Sequence, residues 1–271
     1  MPIPLRPRLE IQRAPGALLL AHGIGVRYDL NVRRRQTIGE ALGDVLRRQR
    51  LRHVIWALRD VNLRVERSDA VGIVGRNGAG KTTLMLALAG ILTPDEGLVE
   101  ARGKVSALLS LGAGFDPDLS GRENVELALA FMGVSRPTAR SLLPRITKFA
   151  DLGEFIDARL KTYSTGMRAR LGFAVATCVD PEVLLIDEVL STGDLTFRER
   201  SRDRIEELVH GAAAAVIVTH DLGYVVEACT RALWLDGGRV AAEGEPRAVV
   251  QAYLQASETV VRLAAQTTRM A

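Results

Sequence analysis

Gly75-Arg76-Asn77-Gly78-Ala79-Gly80-Lys81-Thr82-Thr83 is the stretch whose reading decides how this chain is built. Two glycines five residues apart, followed by Lys-Thr, have the spacing of a phosphate-binding loop. The apolar run Ala70-Val-Gly-Ile-Val74 precedes it and the helical run Leu84-Met-Leu-Ala-Leu-Ala89 follows, which is the strand-to-helix context such a loop needs. The glycines let backbone N–H groups converge on an anion, and Lys81 supplies a point charge for the β- and γ-phosphates. Thr82 offers a hydroxyl ligand for Mg²⁺, and the following helix its positive N-terminal end.

Two further apolar runs, Val183-Leu-Leu-Ile-Asp187 and Ala213-Ala-Ala-Val-Ile-Val-Thr219, show no alternation, as expected of strands covered on both faces. Helical patterns separate them. The fold class implied is α/β, an open and mainly parallel sheet that binds ligands beyond the carboxyl ends of its strands. Asp187, at one such end, is expected to hold Mg²⁺ through water. Glu188 points the other way and suits a general base for an attacking water. His220 ends the next run and is expected at the γ-phosphate, and Ser191-Thr-Gly-Asp194 makes a tight turn. Ser164 is a good N-cap for a helix with Met167, Leu171, Ala174 and Val175 on its apolar face, and with Gly166 it makes an anion-binding helix start. Between about 121 and 161 strand signals give way to helical periodicity, read as an inserted helical subdomain.

In order, these motifs resemble the ABC ATPase family over about residues 58–255: Walker A, helical insertion, Ser-x-Gly signature, Walker B with Glu188, then His220. Within it, Tyr163-Ser-Thr-Gly-Met-Arg-Ala-Arg-Leu171, Leu119-Ser-Gly-Arg-Glu-Asn124 and Ile186-Asp-Glu-Val-Leu-Ser-Thr-Gly-Asp194 are similar to subunits that drive export of O-antigen, capsule and teichoic acid. The resemblance implies a P-loop NTPase core, an N-terminal antiparallel β part, and ATP and Mg²⁺ as cofactors. ATP contacts are implied for Gly75 through Thr83, with Thr82 and Asp187 at the metal and Glu188 and His220 catalytic. Each ATP would also meet Ser164, Thr165, Gly166 and Met167 of a second copy, with Asp194 near the twofold partner. Tyr28 is the first choice to stack on adenine and Trp56 the second. The family's lid glutamine has no counterpart near Ser110 and Leu111.

Charge is uneven along the chain. Residues 1–60 hold 12 arginines against five acidic residues, a net +7, which leaves −3 on the remainder of a chain whose total is +4. Much of the excess falls in an insertion at about 31–53, where Ile38, Leu42, Val45 and Leu46 share a helical face flanked by seven arginines. It reads either as a solvated helix on the domain or as one facing anionic headgroups or a lipid-linked pyrophosphate. It lacks interleaved aromatics, so no nucleic-acid partner is expected.

No apolar stretch approaches the roughly 20 residues needed to cross a bilayer, and the start lacks the pattern of a secretory signal. Cys178 and Cys229 sit among apolar neighbours and read as buried free thiols. The expected organisation is an N-terminal strand region (1–57), a cassette (58–255, helical subdomain about 118–165) and a short tail (256–271), with no room for an appended carbohydrate-binding domain. The expected function is ATP-driven export of a lipid-linked polysaccharide, as a homodimer peripheral to the cytoplasmic face of a bacterial inner membrane, docked on a multi-span permease. The alternatives are a cassette exporting a drug, lipid or small solute, and a soluble one acting on nucleic acid or ribosomes.

Overall fold

The computed structural model describes residues 16–29, 54–109, 114–187 and 195–269. Two long strands, β1 (Ala17–Asp29) and β2 (Val54–Glu66), pair antiparallel, and β4 (Glu96–Ala101) completes a three-stranded sheet on the other side of β1. The second sheet has six strands. β5 (Val105–Leu108), β6 (Val183–Asp187), β7 (Ala214–Val218), β3 (Ala70–Val74) and β8 (Arg231–Asp236) run parallel in that spatial order, and β9 (Arg239–Gly244) is antiparallel at the edge. Helix α1 (Lys81–Leu88) follows β3.

The missing alternation in β6 and β7 has a direct structural cause. Val183 and Leu185 join Ala214, Val216 and Val218 in a core shared with α1 and the antiparallel sheet. Leu184 and Ile186 join Ala215 and Ile217 in a second core on the opposite face, closed by α5 (Leu195–Gly211), α6 (Leu222–Ala228) and α7 (Pro246–Arg269). Both faces are therefore buried, and each fully buried Val, Leu or Ile contributes about 1.5–3 kcal/mol.

Between β5 and β6 lies a helical part: α2 (Gly121–Phe131), α3 (Arg136–Ala150), two 3₁₀ turns (Gly153–Asp157 and Leu160–Thr162) and α4 (Thr165–Ala176). It has its own core of Val125, Leu129, Leu143, Ile146 and Leu171. Ser120 and Glu123 form a reciprocal capping box at the start of α2. Phe149, Phe173 and Phe197, with centroids 5.7–5.8 Å apart, join α3 and α4 to α5 of the sheet core.

Residue 57 lies inside β2 and residue 255 inside α7, so neither expected boundary coincides with a break in secondary structure. The strand pairing and the apolar helix period each run through the point where the motif pattern begins or ends. Among the described residues, no helix is long and apolar enough to cross a membrane.

Candidate functional site

The loop between β3 and α1 is built by its glycines. Gly75, Gly78 and Gly80 have φ of +155°, +78° and +101°, which side chains rarely tolerate. A Cβ on Gly80 would also lie 2.5 Å from the Ala57 carbonyl oxygen, whereas the space around Gly78 is open. Lys81 Nζ donates back to Gly75 O at 2.7 Å and to Arg76 O at 3.1 Å, so the loop curls around a mostly buried ammonium. Arg76, Asn77, Gly78 and Thr82 are exposed, Thr83 is half-buried and Ala79 is buried. Gly80 occupies the N-cap of α1 and brings no side chain to cap it. The N–H groups of the first turn, at the positive end of the helix, therefore have no side-chain cap. A cradle of backbone N–H groups with one cation suits a polyphosphate.

Strand register brings the next residues to this edge. Asp187 of β6 pairs with Val218 of β7, and Val218 pairs with Ile73 of β3, so the three carboxyl ends are level. Asp187 shares a face of β6 with Val183 and Leu185, the face covered by α1. His220 lies two residues beyond β7 and is exposed. Its turn is held by the Asp221 N–H donating to Thr219 Oγ1 at 3.0 Å and by Asp221 Oδ1 accepting the Tyr224 N–H at 3.0 Å. Among the described residues no three or more Asp, Glu, His or Cys side chains cluster as a ready cation cage. Thr82, in the first turn of α1, and Asp187, at the carboxyl end of β6, bring a hydroxyl and a carboxylate to this side of the sheet.

Ser164, Thr165, Gly166 and Met167 belong to the helical part and not to this edge. Ser164 caps α4, its Oγ accepting the Met167 N–H at 3.1 Å. Ser164, Thr165 and Gly166 are exposed, and a Cβ on Gly166 would meet only Ser164 Oγ, at 3.8 Å. The helix start therefore faces out of the protomer. Glu188, Asp194, Ser110, Leu111 and the insertion at about 31–53 lie outside the described residues.

Tyr28 and Trp56 differ in environment. Tyr28 is 44% exposed, whereas the guanidinium carbons of Arg27 and Arg59 lie over the Trp56 ring at 5.9 and 5.6 Å from its centroid. Tyr28 pairs with Ile55, two residues from the Ala57 carbonyl that touches Gly80, so it stands about two strand positions, ~7 Å, along from the loop.

Sequence reading missed Asn124, which is fully buried. Its Nδ2 donates to Asp116 O and Ser120 O, both at 2.9 Å, and its Oδ1 accepts the Asp116 N–H at 2.7 Å, stapling the loop into α2. A polar residue on the buried side of an otherwise apolar helix pattern is the signal that points to it.

The ABC transporter family profile matches residues 58–191. An O-antigen export system ATP-binding protein of Klebsiella pneumoniae is 38% identical over 200 residues, which cover 74% of this chain and 81% of that one. The chain belongs to the ABC transporter family. This cassette is also 45% identical to an O-antigen export system ATP-binding protein of Myxococcus xanthus over 78% of its own length, but spans only about half (48%) of that relative. A teichoic acids export ATP-binding protein of Staphylococcus haemolyticus is 37% identical, covering 80% of the cassette and 81% of the relative. A dimeric ATP-binding cassette solved in a post-hydrolysis state with ADP and phosphate shares the fold, with a TM-score of 0.63 at 23% identity over 84% of this chain and 98% of that one.

Proposed function

We propose that this cassette is the ATP-hydrolysing subunit of a membrane exporter. It works as a pair of identical copies on a separate multi-span permease at the cytoplasmic face of a bacterial inner membrane, and drives export of a lipid-linked polysaccharide or similar glycopolymer. The observation that carries this reading is the match to relatives named for O-antigen and teichoic acid export, at 37–45% identity across about three quarters or more of the chain.

In this reading Gly75 through Thr83 hold the phosphates of ATP, and Tyr28 rather than Trp56 takes the adenine, because the Trp56 ring is already covered by two guanidinium groups. Thr82 and Asp187 are the residues that would hold Mg²⁺, whose contribution is to neutralise charge on the transferring phosphoryl group. Glu188 accepts a proton from the attacking water, and His220 steadies the γ-phosphate end. Ser164 through Met167 serve the partner copy's nucleotide, supported by the exposure of Ser164, Thr165 and Gly166 at an outward-facing helix start, with Asp194 near the twofold partner. Phe131 and Met132, 80% and 41% exposed at the end of α2, offer the permease an apolar contact.

The test is made in cells that depend on this subunit. A Glu188→Gln variant should abolish surface glycopolymer and leave the lipid-linked polymer inside, while the complex purified in detergent still binds ATP. Unchanged surface glycopolymer in cells whose ATPase activity is lost would overturn the proposed cargo.

A further inference from the structure

The hairpin that carries Tyr28 has an unusual root. Its last pairs are Arg27 with Trp56, Tyr28 with Ile55 and Asp29 with Val54, and the 24 residues 30–53 connect the two strands beyond them. Side chains on the paired strands and on their neighbours tie this end together.

Directly paired residues share a face and neighbours along a strand alternate, so Arg27 and Trp56 lie on the face opposite Tyr28. The Arg27 backbone N–H donates to Asp95 Oδ2 at 2.9 Å and its Nε to Oδ1 at 3.2 Å, and the Asp95 N–H donates to Gly25 O at 2.8 Å. Gly25 leaves room for the indole, since a Cβ there would lie 3.0 Å from Trp56 Cζ3. On the other side, the Arg59 N–H donates to Gly238 O at 2.8 Å, and the Gly238 N–H donates to Ala79 O of the phosphate-binding loop at 3.1 Å. A continuous path thus runs from the loop through Gly238, Arg59, Trp56, Arg27 and Asp95 to the strand that bears Tyr28.

We propose that Trp56, with Arg27, Arg59 and Asp95, is a positioning clamp that holds Tyr28 at a set distance from the phosphate-binding loop and so governs affinity for the base end of ATP. It rests on Tyr28 as the adenine contact. Trp56 and its cations act only through Tyr28, so their loss weakens nucleotides that have a base and spares ligands that do not.

The experiment uses the full chain and a ribose-labelled fluorescent ATP, displaced by ATP or by inorganic tripolyphosphate. Trp56→Leu should weaken ATP by about 5- to 10-fold, in the range of one lost side-chain contact, and leave tripolyphosphate unchanged. Trp56→Phe keeps an aromatic ring under the cations and should stay near the parent. In a Tyr28→Ala background, Trp56→Leu should add nothing further. Asp95→Asn, at a partly exposed side chain, carries the same test if the tryptophan variant fails to fold. Equal weakening of ATP and tripolyphosphate, an undiminished effect without Tyr28, or unchanged ATP affinity in Trp56→Leu and Asp95→Asn would overturn the clamp. If Lys81→Ala abolishes binding but Tyr28→Ala binds ATP like the parent, the adenine assignment fails and the clamp with it. If Lys81→Ala itself binds normally, the loop assignment is what fails.

Discussion

The strand body and the helical part of this cassette differ in how their cores are built. In the body, β3, β6 and β7 are buried on both faces and the site residues hang from their ends. In the helical part a smaller core is supplemented by exposed polar ties: Arg122 with Asp157 at 2.7 Å, Lys161 with Asp118 at 2.9 Å, and the Ser120–Glu123 capping box. Tyr163, just before the signature helix, is buried and donates to Phe155 O at 2.5 Å. Rigid strands suit a site that must hold a polyphosphate in one geometry. A part that meets the body through three phenylalanines and a hydrogen bond from Arg204 to Thr177 O suits the proposed role of engaging other chains.

The largest effects should separate the two regions by function. Lys81→Ala, in the body, is expected to weaken ATP binding by about 100-fold or more, because it removes the charge-assisted contact to the phosphates. Gly166→Asp, in the helical part, should leave ATP binding to one copy intact and stop turnover, since it places a carboxylate at the helix start proposed to meet the partner copy's nucleotide. Mixing the two inactive proteins leaves one composite site whole in each heterodimer. Activity that rises on mixing would confirm that the regions meet across a dimer; inactivity after proven subunit exchange would break the comparison.

A structural effect comes next. Gly121 lies where a Cβ would collide with the Tyr163 hydroxyl, so Gly121→Ala should destabilise the helical part by about 1–3 kcal/mol. Hydrogen exchange is expected to quicken in α2 and α4 while the amides of β3 and β7 stay protected. Uniform loss of protection would mean that the two regions unfold as one.

The smallest effect concerns acid. The side-chain hydrogen bond from Lys161 holds Asp118 below the ordinary carboxylate range, that from Arg122 does the same for Asp157, and the Ser120 hydroxyl lowers Glu123. Groups whose folded pKa is depressed contribute stability above their unfolded pKa and lose it as pH falls through the folded value. The helical part should therefore loosen first as pH drops below about 4.5, read as faster exchange in α2 before any change in β3. All three groups are exposed, so the shift is small and should shrink further in high salt. Burial pushes the Cys178 thiol, in the core of the helical part, and the Cys229 thiol, in the body, up to about 11, and neither should react readily with thiol reagents at neutral pH.

The phosphate-binding loop was legible because its requirements are local. Positive φ at Gly75, Gly78 and Gly80, a cation at Lys81 and an uncapped helix start are all set by residues within one turn of each other. The signature helix was legible for the same reason, through Ser164 as its cap and the apolar period that follows. Double-sided burial could be read from the missing alternation in β6 and β7, but the spatial order β5-β6-β7-β3-β8-β9 could not. Each of these short apolar strands would be equally content beside any other, since covering both faces satisfies it regardless of neighbour. Only that order sets Asp187 and Val218 level with Ile73 and carries His220 to the loop's edge. The roles of Trp56, Arg59 and Gly238 were likewise decided in three dimensions, where a ring and two cations 29 and three residues away from it along the chain are brought together by strand pairing. Sequence determines which residues can bind a phosphate; packing on both sides of one sheet determines which of them do so together.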